Sequence, residues 1–487
     1  MTDSHDQPTE ASSRRAAREE SKASSSGGIR AVFAKHPRAW LFSALGVVFL
    51  LLATGALFAG IASGSGQAAP VPLATESAPP PRPQPSAVPA GTHLRTCSIA
   101  TAAAQPALGS LTGAVINTTT GDLLFDRGAT TPSSPANVNQ LLTAATAIKI
   151  LGATAQISTR VMASASQDTI VLVGGGDPTL ATTPDSVYEG APLISDLALA
   201  AMSAYDLKYP GKKPKNIVID TTLWNASDNW DASWPASERA NGYMAYVTPL
   251  MVDGDRDDPT DIESARGDDP AMRAAQAFAA AAHLTDVTYS TGSAIGSTVL
   301  AEVKSQPVGT LVGQMLMNGD NTLAESLARV SSKVAGFDGS SGSLAQLIPL
   351  TMKDLGLDTA GLITKDGSGE SVNNAVPPLL VARLLAKIKA NEAGLGVIAS
   401  GMAVAGESGD LYDRFSGDNA VASGKVAAAS GWITNERSLA GLISAADGTS
   451  LAFAFYGLGD VISSDTKDAL DTLVPAAYAC GDNLSNN

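Results

Sequence analysis

The sequence predicts an α+β fold, in which an antiparallel sheet is flanked by helices and is preceded by one transmembrane helix. Strand patterns and helix patterns follow one another through the large C-terminal part of the chain, which indicates that both kinds of element build the folded region. Near the N-terminus lies an uncharged apolar stretch. The chain has 487 residues, of which 44% are hydrophobic, so it is long enough for two or three domains with a large core.

The N-terminal region predicts a cytoplasmic tail, a membrane anchor and a linker. Residues 1–38 are polar and Ser-rich, which is typical of a disordered tail, and residues 64–94 form a Pro-rich linker. Residues 39–63 carry no charge and are long enough to span about 30 Å of hydrocarbon. Three basic residues lie just before this stretch, so we expect a single-pass protein of the cell membrane with its C-terminal domain outside the cytoplasm. A cleaved signal peptide is the alternative.

Beyond the linker, strand and helix patterns occur in a mixed order. The segment 111–130 predicts a β-hairpin around a Thr-Gly turn. The segment 133–152 predicts a buried helix, with Ser134 as its cap and Pro135 as its first residue. The remaining patterns predict, in chain order, strands within 169–173 and 215–224, two helices separated by a tight break within 307–334, helices within 344–357 and 377–393, and strands within 422–446 and 450–459.

Composition excludes several classes of function. The formal net charge of −15 argues against nucleic-acid binding, because phosphates require basic patches. Of four histidines only His283 lies well inside the exported region, which argues against a Ser-His-Asp triad and against a His-rich metal site, so we predict no metal and no cofactor. Cys97 and Cys480 bracket the exported region and could form one disulfide in an oxidising compartment, although two separate buried thiols are the alternative.

Four motifs carry a resemblance to a known family. They are, in chain order, LVGGGDPTL at 172–180, MNGDNTLAESLAR at 317–329, LGLDTAGLITKDGSG at 355–369 and MAVAGESGDLYDRF at 402–415. Together they resemble the D-alanyl-D-alanine carboxypeptidase/endopeptidase class of low-molecular-mass penicillin-binding proteins, which are bacterial serine enzymes of the peptidoglycan cell wall. The resemblance implies a penicillin-binding or β-lactamase-like domain formed by residues 95–155 and 303–487, with residues 156–302 as a large inserted subdomain.

The resemblance also implies three catalytic motifs, each with a chemical reason. A Ser-x-x-Lys turn presents a hydroxyl and an amine on one helix face, so that the amine takes the proton while the oxygen attacks. A Ser-x-Asn turn adds a second hydroxyl and an amide. A Lys-Thr-Gly strand supplies a cation and a hydroxyl for the substrate carboxylate, and backbone N–H groups form an oxyanion hole. These family positions correspond to Asn137 and Gln140 in the first motif, Gly319 and Asn321 in the second, and Ala429, Ser430 and Gly431 in the third.

Four functional side chains of the family pattern are therefore replaced in this sequence. A carboxamide is not a useful nucleophile, and Gln140 cannot act as the base. Loss of one member of such machinery commonly lowers the rate by orders of magnitude. We therefore predict no catalytic residue, and a pseudoenzyme whose groove binds through Asn137, Gln140, Asn321 and Ser430. The expected partners are peptidoglycan stem peptides or proteins of wall synthesis and division.

Two alternatives stay open at this point. The first is an active serine-type D-Ala-D-Ala carboxypeptidase with displaced catalytic residues. Thr146 and Lys149 have the spacing of the first motif further along the helix, and Ser134 lies near its start, but such short patterns recur by chance. The second alternative is a structural scaffold for wall-synthesis or division proteins, in which the groove has no function.

Overall fold

The computed structural model describes residues 94–294, 298–460 and 462–486. The tail predicted at 1–38, the anchor predicted at 39–63 and nearly all of the linker predicted at 64–94 lie outside these residues. Within the described ranges, no helix combines the length and the apolar character that are needed to cross a bilayer.

The strands are short and lie in several groups along the chain. Their bounds are β1 Cys97–Ser98, β2 Ser110–Asn117, β3 Leu123–Arg127, β4 Ser158–Ala163, β5 Thr169–Val173, β6 Asn216–Asp220, β7 Thr288–Thr291, β8 Thr298–Lys304, β9 Ala403–Val404, β10 Val426–Ile433, β11 Glu436–Ser444, β12 Ser450–Leu458 and β13 Leu484–Ser485.

Helices alternate with these strand groups. Their bounds are α1 Ala100–Ala103, α2 Gln140–Leu151, α3 Ile194–Lys208, α4 Ser237–Ala240, α5 Pro270–Ala281, α6 Val308–Asn318, α7 Asn321–Val334, α8 Ser341–Asp354, α9 Pro378–Lys389, α10 Gly396–Ala399 and α11 Ser464–Cys480. The mixed α+β architecture predicted from the sequence is thus confirmed.

The first sheet is antiparallel and has the strand order β12-β11-β10-β9. In its register Ser430 of β10 lies opposite Leu439, and Gly431 lies opposite Ser438. The hairpin predicted within 111–130 is formed by β2 and β3. It lies alongside β12, where the Thr118 N–H donates to the Ser450 carbonyl. Strand β10 is the part of this sheet that borders the candidate site.

The second sheet has the order β7-β6-β5-β4-β8 and lies entirely between Ser158 and Lys304. Strands β5, β6 and β7 are parallel, whereas β4 pairs antiparallel with both β5 and β8. Helices α3 and α5 pack on this sheet and share a buried cluster with it, to which Leu172, Leu197 and Phe278 belong. The domain boundaries at 156 and 302 stay a prediction.

The two faces of the first sheet bury different sets of apolar side chains. Successive residues of a strand point to opposite faces, so Ala428 packs toward α11 and Ala429 packs toward α2. On the α2 side, helices α6, α7, α8 and α9 complete the core. Each fully buried Leu of these helices contributes about 1.5–3 kcal/mol through the hydrophobic effect. This packing fixes α2 and α7 beside β10.

The two ends of the folded region are joined covalently. A disulfide connects Cys97 to Cys480, whose Cα atoms lie 5.5 Å apart and which are separated by 383 positions in the sequence. Strand β1 also pairs in parallel with β13, so Cys97 lies opposite Leu484. The structure therefore contains the pairing that the sequence offered, and the two ends also share the two-stranded sheet of β1 and β13.

Candidate functional site

The turn that leads into α2 has an unusual backbone. Ala136 has a φ of +43°, which is uncommon for a residue with a Cβ, and such strain occurs at functional sites. Residues Ala136–Asn139 form a 3₁₀ turn, and α2 begins only at Gln140. The prediction that Ser134 caps this helix is therefore wrong, because the left-handed backbone of Ala136 separates it from the helix. The hydroxyl of Ser134 lies beside the carboxyl of Glu436 instead.

Three carboxamides meet at the centre of the site. The Nδ2 of half-buried Asn137 donates to Oδ1 of Asn321 over 2.7 Å, and the Nε2 of buried Gln140 donates to the same oxygen over 3.0 Å. Asn321 is the first residue of α7. The structure thus brings together the three residues that the motif alignment predicts at the positions of nucleophile, base and amide. These three side chains are hydrogen-bonded to one another. No hydroxyl and amine face each other among them.

Strand β10 closes the other side of Asn137. A Cβ built on Gly431 would lie 2.7 Å from the Asn137 backbone nitrogen, so only glycine permits this close approach. The backbone N–H of Trp432 donates to Oδ1 of Asn137 over 3.0 Å. An oxyanion hole supplies backbone N–H groups that point at the oxygen on which negative charge develops. In this chain that donor already binds the side chain of Asn137.

Two of the remaining motif positions, Gly319 and Ser430, lie next to the carboxylate of Asp410. Gly319 ends α6 with a φ of +61°, and Ala429 is buried with 4% of its surface exposed. The hydroxyl of Ser430 lies 3.4 Å from Oδ2 of Asp410. A Cβ built on Gly319 would lie 3.0 Å from the same oxygen of Asp410. The carboxylate of Asp410 therefore lies between the second and third motifs.

A buried carboxyl group extends the amide network. The Nδ2 of Asn321 donates to Oε2 of Glu370 over 3.3 Å. Burial, together with the negative charges of Glu238 and Asp366, raises the pKa of Glu370 to about 8. Glu370 is therefore mostly protonated near neutral pH, and a neutral carboxyl is compatible with a site built of amides.

Asp366, which lies in the third quoted motif, organises a loop. It is fully buried and accepts hydrogen bonds from the Trp234 indole, the Asn374 amide and the N–H groups of Gly369 and Ser371. Its carboxylate oxygens are thus used within residues 366–374 and by Trp234. Trp234 is itself 3% exposed, so it is a core residue.

A buried ion network positions the start of α7. The side chain of Asp320 caps the helix by accepting from the Leu323 N–H. Its Oδ2 also accepts from Arg256 over 3.0 Å and from the Tyr188 hydroxyl over 2.8 Å. Burial would raise the pKa of Asp320, but the charges of Arg256 and Arg266 hold this pKa below its ordinary value. This network lies directly beside Asn321 and fixes its backbone.

The displaced copies of the first motif do not form a hydroxyl–amine pair. Thr146 is buried and donates to the Leu142 carbonyl within α2, while Lys149 forms an ion pair with Asp354. In the described part of the chain, the lysine ammonium groups that form a hydrogen bond or ion pair with a side chain bind Asp354, Glu302, Gln167 or Glu392. None of these partners is a serine.

Sequence reasoning missed three participants in the site, namely Glu370, Asp410 and Trp432. Glu370 and Asp410 lie in or next to the quoted motifs, but no local pattern shows that they approach Asn321 and Ser430. Trp432 contributes a backbone N–H, which any residue type would supply. The one signal that the sequence offered was an aromatic residue directly after Gly431. In the structure, 48% of the Trp432 surface is exposed.

Comparisons with known proteins match the described region. The sequence profile of the D-Ala-D-Ala carboxypeptidase 3 (S13) family matches residues 96–295 and 284–477. Carboxypeptidase DacB of Mycolicibacterium smegmatis is 32% identical over 398 residues, which cover 79% of this chain and 84% of that protein. A D-alanyl-D-alanine carboxypeptidase of Actinomadura sp. strain R39 is 26% identical, with 73% of this chain and 79% of that protein covered.

A solved structure shows the same fold. Penicillin binding protein 4 (dacB) from Haemophilus influenzae superposes with a TM-score of 0.63 at 18% identity. The superposition covers 76% of this chain and 95% of that chain. The penicillin-binding-protein-like architecture implied by the four motifs is therefore confirmed.

Proposed function

Because this chain belongs to the D-Ala-D-Ala carboxypeptidase 3 (S13) family, which acts in cell-wall metabolism, we propose that it is a member without catalytic activity. Its groove binds a ligand without cutting it. The proposal places the protein outside the cytoplasm, with residues 39–63 as an uncleaved anchor and residues 156–302 as an inserted subdomain. The uncharged length of 39–63 and the basic residues before it support the anchor.

The feature that supports the proposal most is the carboxamide of Asn137, which the motif alignment places at the position of the attacking hydroxyl. Acyl transfer requires a nucleophile and a base that accepts its proton. The nitrogen of a carboxamide has no available lone pair, and the Gln140 side chain is neutral and weakly basic. In addition, the Asn137 oxygen takes the Trp432 N–H that would otherwise stabilise a developing oxyanion.

The groove keeps groups that suit the binding of a peptide. Half-buried Asn137 and Ser430 supply donors and acceptors that a peptide can reach, while the carboxamides of buried Gln140 and Asn321 hold Asn137 in place. Peptidoglycan stem peptides present backbone amides that match such groups. We therefore propose these peptides as the ligand, with proteins of wall synthesis or division as the other class of partner to be tested.

The proposal is tested by labelling the full-length protein in detergent with a fluorescent penicillin. We expect no covalent adduct with the wild-type chain, while an active serine carboxypeptidase run in parallel becomes labelled. The double variant N137S/Q140K should also stay unlabelled, because Gly319 and Ala429 still lack the second hydroxyl and the cation. An adduct on the wild-type chain would overturn the proposal. Labelling of the double variant alone would show that those two positions matter less than proposed.

Groove binding is tested separately with insoluble peptidoglycan. We expect the wild-type chain to sediment with it and the N137W variant to sediment less, because an indole at position 137 fills the space between α7 and β10. Thermal unfolding of both proteins shows whether N137W is folded. Equal sedimentation of the two folded proteins would exclude recognition in the groove and would favour a scaffold.

A further inference from the structure

A cavity lies away from the groove, at the carboxyl ends of the parallel strands β6 and β7. Its volume is about 540 Å³, which is within the range of about 300–1,000 Å³ that small-molecule sites occupy. Thr221 directly follows β6, Thr291 is the last residue of β7, and both line the cavity. Ligands of α/β sheets commonly bind beyond the carboxyl ends of parallel strands. The position and the size of this cavity are therefore those of a binding site.

The end of helix α7 supplies another wall of this cavity. Lys333 lies in the last turn of α7, and Asp338 lies in the loop that follows the helix. Asn321, the first residue of the same helix, belongs to the groove. At 1.5 Å per residue, the helix places Lys333 about 18 Å further along its axis than Asn321. The cavity and the groove are therefore separate sites.

The polar groups of the cavity offer both hydrogen-bond donors and acceptors. Among the described residues, the hydroxyls of Thr221 and Thr291 have no hydrogen-bond partner. The Oδ1 of Asp338 accepts from the N–H and the hydroxyl of Ser340, so its Oδ2 remains as an acceptor. The pKa of Asp338 lies below its ordinary value, mainly because of these hydrogen bonds and in smaller part because of the charge of Lys333. Within the described chain, Lys333 and Asp338 form no direct ion pair, so the ammonium keeps its donors.

The lining of the cavity has no net charge and is partly apolar. Lys333 and Asp338 are its two charged residues, and their charges cancel. Ile219 and Leu223 add aliphatic side chains. Trp224 also forms part of the wall, but it is buried and its indole N–H is bound to a backbone carbonyl. A ligand that fits this lining is uncharged, carries hydroxyls around its edge and has apolar C–H groups on a face, and a pyranose ring has all three properties.

We propose that this cavity binds a neutral carbohydrate. Lys333 donates to the oxygens of the sugar, Asp338 accepts from its hydroxyls, and Thr221 and Thr291 do either. The inference goes beyond the proposed function, because it assigns a sugar site outside the groove and does not require that a peptide binds there. Glycan strands of peptidoglycan and free oligosaccharides share this chemistry, so the experiments below include both.

The first measurement is calorimetric titration of the full-length protein with a soluble oligomer of N-acetylglucosamine, in a detergent without a sugar head group. We expect the oligomer to bind. Its affinity should change less than twofold between about 0.05 and 0.3 M NaCl, because salt screens interactions between charges and this ligand is neutral. A steep loss of affinity with salt would contradict recognition of a neutral ligand.

Two lysine variants separate a role in the cavity from a general effect of charge. K333M removes the ammonium and keeps an aliphatic side chain against Gly339, and we expect it to weaken binding of the oligomer at least fivefold. K353M removes a lysine from the last turn of α8, outside the cavity, and should keep the wild-type affinity.

Two tryptophan variants test the space itself. T291W fills the cavity from the end of β7 and should weaken binding of the oligomer at least tenfold. T288W places the same side chain at the other end of β7, outside the cavity, and should bind as the wild-type chain does. Thermal unfolding of each variant shows whether it is folded. Equal effects within either matched pair refute the site.

Combination with N137W distinguishes the source of the sugar and separates this inference from the proposed function. If glycan strands of the wall are the ligand, N137W/T291W should sediment less with insoluble peptidoglycan than N137W does. Equal sedimentation of these two variants, together with binding of the soluble oligomer, identifies free oligosaccharides as the ligand. If N137W abolishes binding of the oligomer and T291W does not, the sugar binds in the groove and the inference is refuted. If the oligomer does not bind the folded wild-type protein, the inference is refuted while the proposed peptide groove stands.

Discussion

Replacement of Arg256 by Met tests whether the buried ion network holds α7 in place. The Arg256 side chain is 1% exposed and the Asp320 side chain is 2% exposed, and their N···O distance is 3.0 Å. Arg256 also donates to the Tyr188 hydroxyl over 2.9 Å. Met fills most of the space of the aliphatic stem, so the main loss is the charge and its hydrogen bonds.

The expected cost follows from the charge that is left behind. Without Arg256, the Asp320 carboxylate remains buried and keeps only the Tyr188 hydroxyl, the Leu323 N–H and the more distant charge of Arg266. Removing one partner of a buried pair costs about 3–5 kcal/mol of unfolding free energy. Because Arg266 offsets part of the lost attraction, we expect about 3 kcal/mol for R256M.

The assay is urea unfolding followed by circular dichroism, with one control and one rescue. R160M removes an ion pair with Glu302 in which the arginine is 46% exposed, and we expect it to cost less than about 1 kcal/mol. R256M/D320N removes the orphaned charge but keeps an oxygen that caps Leu323, so it should regain stability. The reasoning is refuted if R256M costs no more than R160M, or if D320N restores nothing.

Two further predictions concern stability. The pKa of Glu370 is raised from 4.5 to about 8 by burial, so between these pH values the folded chain holds a proton that the unfolded chain has lost. The unfolding free energy should therefore fall as pH rises from 5 to 8, and this group contributes up to about 1.4 kcal/mol per pH unit. In urea titrations, E370Q should remove that part of the dependence of the unfolding free energy on pH. An unchanged pH dependence in E370Q would contradict the prediction. Reduction of the Cys97–Cys480 disulfide should lower the unfolding free energy by about 2–5 kcal/mol. The C97S/C480S variant should show the same loss without reductant. An unchanged urea midpoint would contradict this prediction.

Local patterns in the sequence were sufficient for most elements of the first sheet and for the helices around it. The hairpin within 111–130, the helix break at Gly319 and the late antiparallel strands depend on alternation, periodicity and glycine, which are short-range properties. The cap of α2 was not predictable in this way. Its start depends on the strained Ala136, and that strain is imposed by contacts with β10 and with the loop at Gly369.

The order of the motifs alone predicted that Asn137, Gln140 and Asn321 share one site, and it predicted that the chemistry of a serine acyl-transferase is absent, because side-chain type decides whether a group can attack or accept a proton. The tertiary structure decided how those amides pair, since hydrogen-bond partners depend on distances between segments that are far apart in the chain. It also placed the Asp410 carboxylate beside Ser430 and brought the buried Glu370 to Asn321. Long-range packing, which has no short-range signature, sets the charge and the protonation of this site.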